Sequence, residues 1–431
     1  MNLYILSLNC GSSSLKFNLF KKSPENRLIS YLSGIVEEVG NEEKSLLKYN
    51  INGNRCKISI PVRSHKEALV LLFKELEKHN ITFDSICGVG HRVVHGGEKY
   101  TKSVLIDDCV INTIKDLIPL APLHNPPNLI GIEEAMRLLP DVPHVAVFDT
   151  AFHGTIPEHA YRYAIPESWY KDYGVRRYGF HGTSHLYVAR RAARFLGIPF
   201  DQFNGVTVHL GNGCSITKIR GGKSVDISMG FTPLEGLVMG TRSGDIDPAL
   251  ISHVAGMLTK DEGIPVSEAY ERIMHALNKE SGLKALTGIS VMQDIRQRAV
   301  EGDEQADTAL SIFAYRVAKY IGSYLSTLPN AHAIVFTAGI GENEGVIRAR
   351  ILLFLEYLSF EIKEDNKKPK REMEIARSKK AGDIPLSVLV IPTDEEIVIA
   401  YDTLFIGHLK TDTPEKYPFE EQNDINGDFK Q

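Results

Sequence analysis

Residues 3–20 read LYILSLNCGSSSLKFNLF, and the first sign of the fold lies in this stretch. Two apolar runs, 3–9 and 15–20, flank a short turn of glycine and serine, a pattern typical of a β-hairpin. Residues 206–219, VTVHLGNGCSITKI, repeat the same order of strand, glycine turn and strand. The spacing of about 200 residues is far longer than a solenoid repeat, so it indicates two copies of one domain type.

The remainder of the chain alternates between helical and strand patterns, which predicts a mixed α/β class. Near the end, residues 337–341, TAGIG, separate a predicted strand from a predicted helix over 342–354. This order of strand, glycine turn and helix is typical of phosphate or nucleotide binding. The other predicted helices are 65–78, 127–139, 184–196 and 306–328, and the predicted strands are 88–94, 144–148, 333–336 and 387–391.

The composition is that of a globular protein, with 431 residues, 43% of them apolar and 24% charged, and this length predicts two or three domains. A net charge of −5 argues against a nucleic-acid surface, because phosphate contacts need clustered Lys and Arg. The 5 cysteines are odd in number and lack CxxC spacing, which argues against a disulfide framework and a zinc site. Neither a signal peptide nor a run of about 18 apolar residues occurs, so we expect a cytoplasmic protein without a membrane partner.

Three glycine turns, each after a predicted strand, are candidates for binding one polyphosphate: 9–16, 211–215 and 339–342. The first offers small side chains and backbone N–H groups, with Lys16 behind them; a plain turn is the alternative. None of the three matches a GxxxxGK[ST] loop or a GxGxxG motif with its acidic partner. Paired hairpins in duplicated α/β lobes match, by analogy of fold, the architecture of actin, sugar kinases and chaperone ATPases.

Three arginines occupy segments suited to binding anions. Arg92 lies in GHRVVHGG (90–97), Arg177 in RRYGFHGTSH (176–185) and Arg242 in MGTRSGDIDP (239–248). A structural salt bridge is the alternative for each one alone. Together they form a cationic set that suits an anionic ligand.

Two further positions are candidates for chemistry. Asp149 follows the predicted strand 144–148, and the carboxyl ends of strands commonly carry catalytic carboxylates, although a helix cap is the alternative. His181 and His185 have the spacing of a metal-binding pair, but no HExxH glutamate accompanies them, so zinc is not expected.

Two segments carry no predicted chemistry. Residues 361–380 mix both charges, which favours the solvated face of a helix. The sequence after residue 410 is polar, acidic and interrupted by Pro and Gly, so we expect a mobile tail over 411–431.

Taken in order, NCGSSSLKF, GHRVVHGG, FDTAFH, RRYGFHGTSH, HLGNGCS, MGTRSGDIDP, FTAGIGEN and IPTDEE resemble the acetate kinase family from Asn2 to about Leu404. The resemblance implies two duplicated ribonuclease H-like (actin-like ATPase) domains with an active-site cleft between them. The lobes expected are 1–150 with about 397–410, and 151–396. It also implies a homodimer that uses ATP and a divalent cation, Mg²⁺ or alternatively Mn²⁺, to convert acetate into acetyl phosphate and ADP.

The resemblance also assigns roles to individual residues. Asp149, which has no proton to remove from an acid, is expected to order Arg92 or a metal-bound water. Rival activities are a propionate or butyrate kinase of the same fold and a chaperone-like ATPase. The implied roles are catalysis for Arg92, Asp149, His181 and Arg242; binding of the acid for Arg92, Val93, Leu123, Phe180 and Pro233; metal binding for Asn9 and Glu395; and nucleotide binding for Ser12, Ser14, Lys16, His209, Leu210, Gly211, Asn212, Gly213, Asp294, Ile295, Arg296, Gly339, Ile340, Gly341, Glu342 and Asn343.

Overall fold

The computed structural model describes residues 2–51, 53–122, 124–363, 371–378 and 385–421. The chain folds into two compact units. Unit 1 contains residues 1–154, 182–187 and 394–431, and unit 2 contains residues 155–181 and 188–393. Each unit is therefore assembled from segments that are distant in sequence.

The strands in the described part of the chain fall into two sheets. Their bounds are β1 Leu3–Cys10, β2 Ser14–Lys22, β3 Leu28–Glu37, β4 Leu46–Ile51, β5 Asn54–Ser59, β6 Ile86–Val93, β7 Val104–Leu105, β8 His144–Phe148, β9 Gly205–Leu210, β10 Cys214–Arg220, β11 Lys223–Ile227, β12 Ala333–Thr337, β13 Phe360–Ile362, β14 Met373–Ser378 and β15 Leu386–Val390.

The helices surround these sheets, and none of those described combines the length and hydrophobicity needed to cross a bilayer. Their bounds are α1 His65–Lys78, α2 Asp108–Asp116, α3 Asn125–Leu138, α4 Glu158–Tyr161, α5 Glu167–Tyr173, α6 Gly182–Leu196, α7 Ala249–Glu262, α8 Val266–Lys279, α9 Gly282–Thr287, α10 Met292–Val300, α11 Glu304–Ser326, α12 Ala338–Asn343, α13 Gly345–Leu353 and α14 Glu395–Asp402.

Both units contain the same five-stranded core, which confirms the predicted duplication. The order is β3-β2-β1-β6-β8 in unit 1 and β11-β10-β9-β12-β15 in unit 2. In each core the first three strands are antiparallel, and the last two run parallel to the first strand. This is the ribonuclease H-like arrangement that the family resemblance implies. Further strands extend each sheet: β4, β5 and β7 in unit 1, and β13 and β14 in unit 2.

The hairpin β1–β2 forms where the sequence predicts it. Leu3 pairs with Lys22 and Cys10 with Leu15, so the alternating apolar residues of both strands face the core. At the turn the Gly11 N–H donates to the Ser14 carbonyl at 2.8 Å.

Strand β8 shows how unit 1 fills both faces of its sheet. All its residues are buried, with Ala146 and Phe148 in one apolar cluster and Val145 and Val147 in another that contains Ile399 of α14. Because alternate side chains of a strand point to opposite faces, helices cover the sheet on both sides.

Three expectations need correction. Residues 361–380 do not form a helix where they are described, because 360–362 and 373–378 are strands β13 and β14. The helix predicted over 342–354 is two helices, α12 and α13, and α12 begins directly after β12 with Ala338 in the left-handed region (φ 64°). Of the tail expected to be mobile, residues 418–420 form a 3₁₀ turn, with Phe419 fully buried; residues 422–431 lie outside the described part.

Candidate active site

Arg92 lies on the face of β6 that packs against α14. Gly90, two residues earlier on the same face, has no room for a side chain, because a Cβ there would lie 2.6 Å from Cγ2 of Ile399. The two-residue period of a strand therefore directs Arg92 toward the same helix. The carboxylate of Glu395, the first residue of α14, interacts electrostatically with this guanidinium.

Asp149 forms a bidentate ion pair with Arg92. It follows β8, whose Phe148 is paired with Val93 of β6, so the two strand ends lie side by side. Nε of Arg92 donates to Oδ1 at 2.8 Å, and Nη2 donates to Oδ2 at 2.6 Å. Burial alone would lower the pKa of Arg92, but the carboxylates of Asp149 and Glu395 raise it above its ordinary value. The guanidinium is therefore charged and held in one orientation, as expected of a residue that Asp149 orders.

Glu395 is fixed at the start of α14. The cap residue Asp394 accepts a hydrogen bond from the Ile397 N–H at 3.0 Å, which orders the first turn of the helix. The Thr183 hydroxyl donates to Oε2 of Glu395 at 3.0 Å. Thr183 belongs to the motif that was singled out for His181, and its own contact was not predicted.

Lys16 has a carboxylate partner that the sequence did not reveal. Its Nζ lies 2.7 Å from Oε1 of Glu396. Burial would lower the pKa of Lys16, but Glu396 and Glu395 raise it. Asn9 lies directly across the β1–β2 ladder from Lys16. The amide of Asn9 and the ammonium group of Lys16 therefore lie beside the hairpin turn. Glu395 and Glu396 of α14 are the carboxylates near Lys16.

Asn9 and Glu395 supply the oxygen donors that a divalent cation prefers. Over the residues described, no group of three or more His, Cys, Asp or Glu side chains could hold a metal ion. Mg²⁺ in nucleotide sites usually has one or two protein carboxylates, with water and phosphate oxygens as its other ligands. An amide oxygen and one carboxylate are compatible with a cation of this kind, whose remaining ligands would be water and phosphate oxygens.

In unit 2, three segments predicted from sequence converge at the turn of the second hairpin. A Cβ placed on Gly213 would lie 3.4 Å from Nη1 of Arg242, 3.4 Å from Cε1 of His181 and 3.5 Å from its Nε2. The His181 ring stacks on His209 with centroids 4.2 Å apart, and its Nδ1 lies 2.9 Å from Oγ of Ser215. These five residues form what we call the His181 cluster.

The guanidinium of Arg242 carries a charge without an acidic partner. Its Nη1 donates to the Pro233 carbonyl at 3.2 Å and contacts the Met239 sulfur at 3.8 Å. No carboxylate in the described ranges pairs with it, and burial lowers its pKa below the ordinary value. A half-buried cation of this kind gains most from an anion that comes from outside the protein.

Arg177, in contrast, is fully engaged within unit 2. Its Nη2 donates to Oε1 of Glu235 at 2.6 Å, and its Nη1 donates to the carbonyls of Ile227 and Met229 at 2.6 and 3.1 Å. Arg177 therefore forms a structural salt bridge, the alternative named above. Its hydrogen bonds stabilise the conformation of residues 227–235.

Two of the predicted nucleotide segments, 294–296 and 339–343, lie in α10 and α12. Arg296 Nε donates to Oε2 of the buried Glu344 at 3.0 Å. Oε1 of Glu342 accepts from the N–H groups of Ala338 and Thr393 at 2.9 and 3.0 Å, so this carboxylate is used to order the backbone. Arg348, fully buried, donates to the Gly341 carbonyl at 2.7 Å.

The four residues assigned to an apolar pocket have different surroundings. Val93 and Phe180 are buried, in units 1 and 2 respectively. Pro233 is half-buried and accepts the hydrogen bond of Arg242. Leu123 lies outside the described residues.

The predicted site residues are distributed over both units. Unit 1 brings together Asn9, Lys16, Arg92, Asp149 and Glu395, and unit 2 brings together His181, His209, Gly213 and Arg242. The side chains of Leu210 and Ile295 are fully buried, so only their backbone could meet a ligand. A cavity of about 1040 Å³ in unit 1 lies elsewhere, since no predicted site residue lines it. Sequence analysis missed Thr183, Ser215, Glu235, Glu344, Arg348 and Glu396 as partners of site residues.

The chain is similar to known proteins along almost its whole length. The model of the acetokinase family matches residues 4–401. The acetate kinase of Macrococcus caseolyticus is 46% identical over 413 residues, which is 94% of this chain and 99% of that protein. The acetate kinase of Staphylococcus epidermidis is 44% identical over 428 residues, covering 99% of each.

Two solved structures share the fold over almost their full length. A propionate kinase from Francisella tularensis superposes with a TM-score of 0.84 and 40% identity, over 93% of this chain and 99% of that one. The acetate kinase of Porphyromonas gingivalis gives a TM-score of 0.82 and 39% identity, over 93% and 99%. The chain belongs to the acetokinase family.

Proposed function

We propose that the chain transfers the terminal phosphoryl group of ATP to acetate, forming acetyl phosphate and ADP in a reversible reaction. The observation that carries the proposal is Arg242, a half-buried guanidinium with no acidic partner in the described chain, beside His181 at the turn of the second hairpin. This arrangement suits a transferring phosphoryl group, and membership of the acetokinase family names the reaction.

The chemistry needs positioning and charge stabilisation rather than a base. A carboxylic acid with a pKa of about 4 is already an anion at neutral pH. One carboxylate oxygen attacks the terminal phosphorus while the bond from that phosphorus to the oxygen of ADP breaks, so no proton is lost. The main obstacle is repulsion between two anions, and such transfers are catalysed chiefly by stabilising charge on the equatorial oxygens. We assign this task to Arg242 and His181.

We assign the acid to Arg92. A guanidinium has five N–H donors, and Asp149 uses two of them, so three are left for a carboxylate. Asp149 holds the planar fork in the orientation that a small carboxylate requires. In this account Asp149 is a positioning residue, because it touches Arg92 rather than the reacting atoms.

Mg²⁺, or alternatively Mn²⁺, would be held by Asn9 and Glu395 together with the nucleotide. When bound, such a cation neutralises charge on the phosphate oxygens. The 3.0 Å hydrogen bond from Thr183 orients the Glu395 carboxylate for binding this cation. We further assign the nucleotide to residues 209–213, 294–296 and 339–343, with Ser12, Ser14 and Lys16 on the side of the first hairpin.

Selectivity for acetate over longer acids is part of the proposal. We assign the methyl group of the acid to Val93, Leu123, Phe180 and Pro233. Such a pocket discriminates weakly, because one methylene is worth about 1–3 kcal/mol. A relative with a solved structure is a propionate kinase, so propionate is the second candidate acid.

Trapping the acyl phosphate with hydroxylamine tests the acid. Purified protein is incubated with MgATP and acetate, propionate or butyrate, and the hydroxamate formed is measured for each acid. We expect the highest kcat/KM with acetate and a lower value for each added methylene. A higher kcat/KM with propionate than with acetate would contradict the acetate assignment.

We also propose that the enzyme is a cytoplasmic homodimer. Large apolar side chains are exposed on unit 2, among them Leu353 at 69% and Tyr357 at 58%, and the exposed rings of Tyr315 and Phe354 pack edge to face with centroids 5.4 Å apart. Burial of such side chains against a second copy would stabilise a dimer. Sedimentation velocity should give twice the chain mass for the wild type, whereas a monomer at micromolar concentration would contradict the proposal.

A further inference from the structure

Ser215 is a member of the His181 cluster, but none of the roles assigned above is given to it. It is fully buried on β10, directly opposite His209 of β9. This cross-strand pair holds the ring of His181 on two sides: His209 stacks on its face, and Oγ of Ser215 lies 2.9 Å from its Nδ1. Two neighbouring strands therefore fix the orientation of one imidazole.

The backbone of His181 indicates that its orientation matters. His181 precedes α6 with φ 59°, in the left-handed region that non-glycine residues seldom adopt, and its side chain does not cap the helix. Conformations of this kind are strained and persist where surrounding contacts enforce them. Here the strain directs the ring toward Ser215 and Gly213 instead of toward the helix end.

With Nδ1 next to Ser215, Nε2 is the ring nitrogen on the side of Gly213. Nε2 of His181 and Nη1 of Arg242 both lie within 3.5 Å of the point where a Cβ of Gly213 would be. Both groups therefore border the same space at the turn of the second hairpin. A neutral imidazole carries one proton, so its tautomer decides whether Nε2 donates to an oxyanion or presents a lone pair to it.

We propose that Ser215 is a positioning residue that fixes the tautomer of His181. Its hydroxyl donates to Nδ1, which leaves the proton on Nε2, where it points to the same space as Arg242. His181 then donates a hydrogen bond to a phosphoryl oxygen without first gaining a charge. This inference rests on the proposed function for its catalytic consequence, but the tautomer itself is a property of the protein alone.

Nitrogen-15 NMR of the ligand-free protein tests the tautomer directly. His181 signals are assigned by comparison with His181→Gln, and spectra are recorded at pH 8, where imidazoles of ordinary pKa are neutral. We expect the Nε2–H form in the wild type and a mixture of both tautomers in Ser215→Ala. An Nδ1–H tautomer in the wild type, or an unchanged tautomer in Ser215→Ala, overturns the inference.

Kinetics test the consequence. At pH 8 we expect kcat of Ser215→Ala to fall about tenfold with little change in KM for ATP, because a transition-state contact is weakened. The loss should shrink as the pH falls below about 6.5, since a protonated imidazole carries N–H on both nitrogens. Ser215→Thr, which keeps the hydroxyl, should restore the wild-type profile. Ser378→Ala is the matched control, because Ser378 is also fully buried on a strand of this sheet and hydrogen-bonded, to Leu358.

The two measurements separate the two proposals. A changed tautomer with an unchanged kcat overturns the role of His181 in the proposed function, although Ser215 still orients the ring. An unchanged tautomer with a lower kcat overturns the role of Ser215 while leaving the proposed function intact. The NMR result for Ser215→Ala decides the inference even if Ser215→Thr does not fold.

Discussion

The turns after β1 and β9 are the same element in two copies of one fold, yet the arginines assigned to the two reacting groups, Arg92 in unit 1 and Arg242 in unit 2, differ in how they are compensated. In unit 1, Lys16 pairs with Glu396 and Arg92 with Asp149. In unit 2, Arg242 lies beside the turn and has no carboxylate partner among the residues described. The two units thus have similar scaffolds. They differ in whether a protein carboxylate neutralises the cation.

The difference follows from what each cation is proposed to bind. A carboxylate acid is a weak, singly charged ligand, so Arg92 must be oriented in advance, and Asp149 does this. A phosphoryl group in transfer carries more charge and gains most from a cation that no protein carboxylate neutralises. The unit 1 cation is stabilised by the fold, whereas the unit 2 cation is stabilised by its ligand. Replacing the unit 1 arginine should therefore lower both stability and turnover, whereas replacing the unit 2 arginine should lower turnover alone.

Arg92→Ala should have the largest effect, because it lowers both quantities. Removing one partner of a buried pair leaves Asp149 unpaired and costs about 3–5 kcal/mol in the free energy of unfolding. Turnover should fall by about 10²–10³ as the acid loses its cation. Urea unfolding and the hydroxamate assay measure the two. In Arg92→Ala/Asp149→Ala, stability should recover while turnover does not; recovery of neither would contradict the pairing argument.

Arg242→Ala should lower turnover alone. The expected loss is again about 10²–10³, while the free energy of unfolding should stay within about 1 kcal/mol of the wild type or rise, because no buried carboxylate loses its partner. Arg272→Ala is the control, since Arg272 forms only exposed ion pairs with Glu262 and Glu268 and should change neither quantity much. A large loss of stability in Arg242→Ala would remove the contrast between the units.

Gly213→Ala sharpens the comparison within unit 2. Its methyl group would lie 3.4 Å from both Arg242 and His181, where a phosphoryl oxygen is proposed to enter. We expect turnover to fall about tenfold, since small displacements of transition-state contacts are costly. Gly256→Ala on α7 is the control, because its methyl group meets nothing within 4 Å. Equal turnover in the two variants would place the ligand elsewhere.

Unit 1 should be the more sensitive to acid, with a smaller effect. Burial lowers the pKa of His91 and His144, whose rings lie 2.9 Å apart through Nε2 and Nδ1. Both stay neutral when folded, so their stabilisation is complete above about pH 6.5 and is lost as the pH falls, by up to about 1.4 kcal/mol per pH unit for each.

Hydrogen exchange can measure this acid effect strand by strand. Between pH 7.5 and 5.5, protection corrected for intrinsic exchange should fall about tenfold more in β6 than in β9. A variant with His91→Gln and His144→Gln should show a flatter dependence on pH. Equal losses in both strands of the wild type would refute the role of the histidine pair.

Sequence predicted the scaffold well where local signals agree with packing. Helix α1 begins and ends at the expected residues, because Ser64 caps it by accepting from the Glu67 N–H and Lys78 closes its last turn. Strand β8 is an uninterrupted apolar run, as expected for a strand covered on both faces.

The error over 361–380 has a physical cause. Glu374 and Arg377 have helical spacing and do form an ion pair, but Glu374 also pairs with Lys363, which directly follows the neighbouring strand β13. Charges near a sheet edge therefore resemble the solvated face of a helix when only spacing is considered. Strand β14 also lacks a regular alternation, because Ile375 and Ala376 are both buried next to a shift in its register with β15.

The types of residue in the candidate site could be predicted from the sequence. Which carboxylate pairs with which cation could not. Glycine turns and arginines flanked by valine or glycine pointed to an anion site. Which arginine keeps a free charge could not be known, because the partners are distant in sequence: Glu396 lies 380 positions from Lys16, and Asp149 lies 57 from Arg92. Long-range pairs of this kind are set by the sheet order, which no local pattern encodes.

The central claim is that these charges serve an acid that attacks ATP, and the dependence of ADP release on acetate tests it most directly. A coupled assay measures ADP formed by the purified protein with MgATP, with acetate absent and then increased. ADP release should rise from near zero to saturation, with one acetyl phosphate formed for each ADP. Equal rates of ADP release with and without acetate would contradict it.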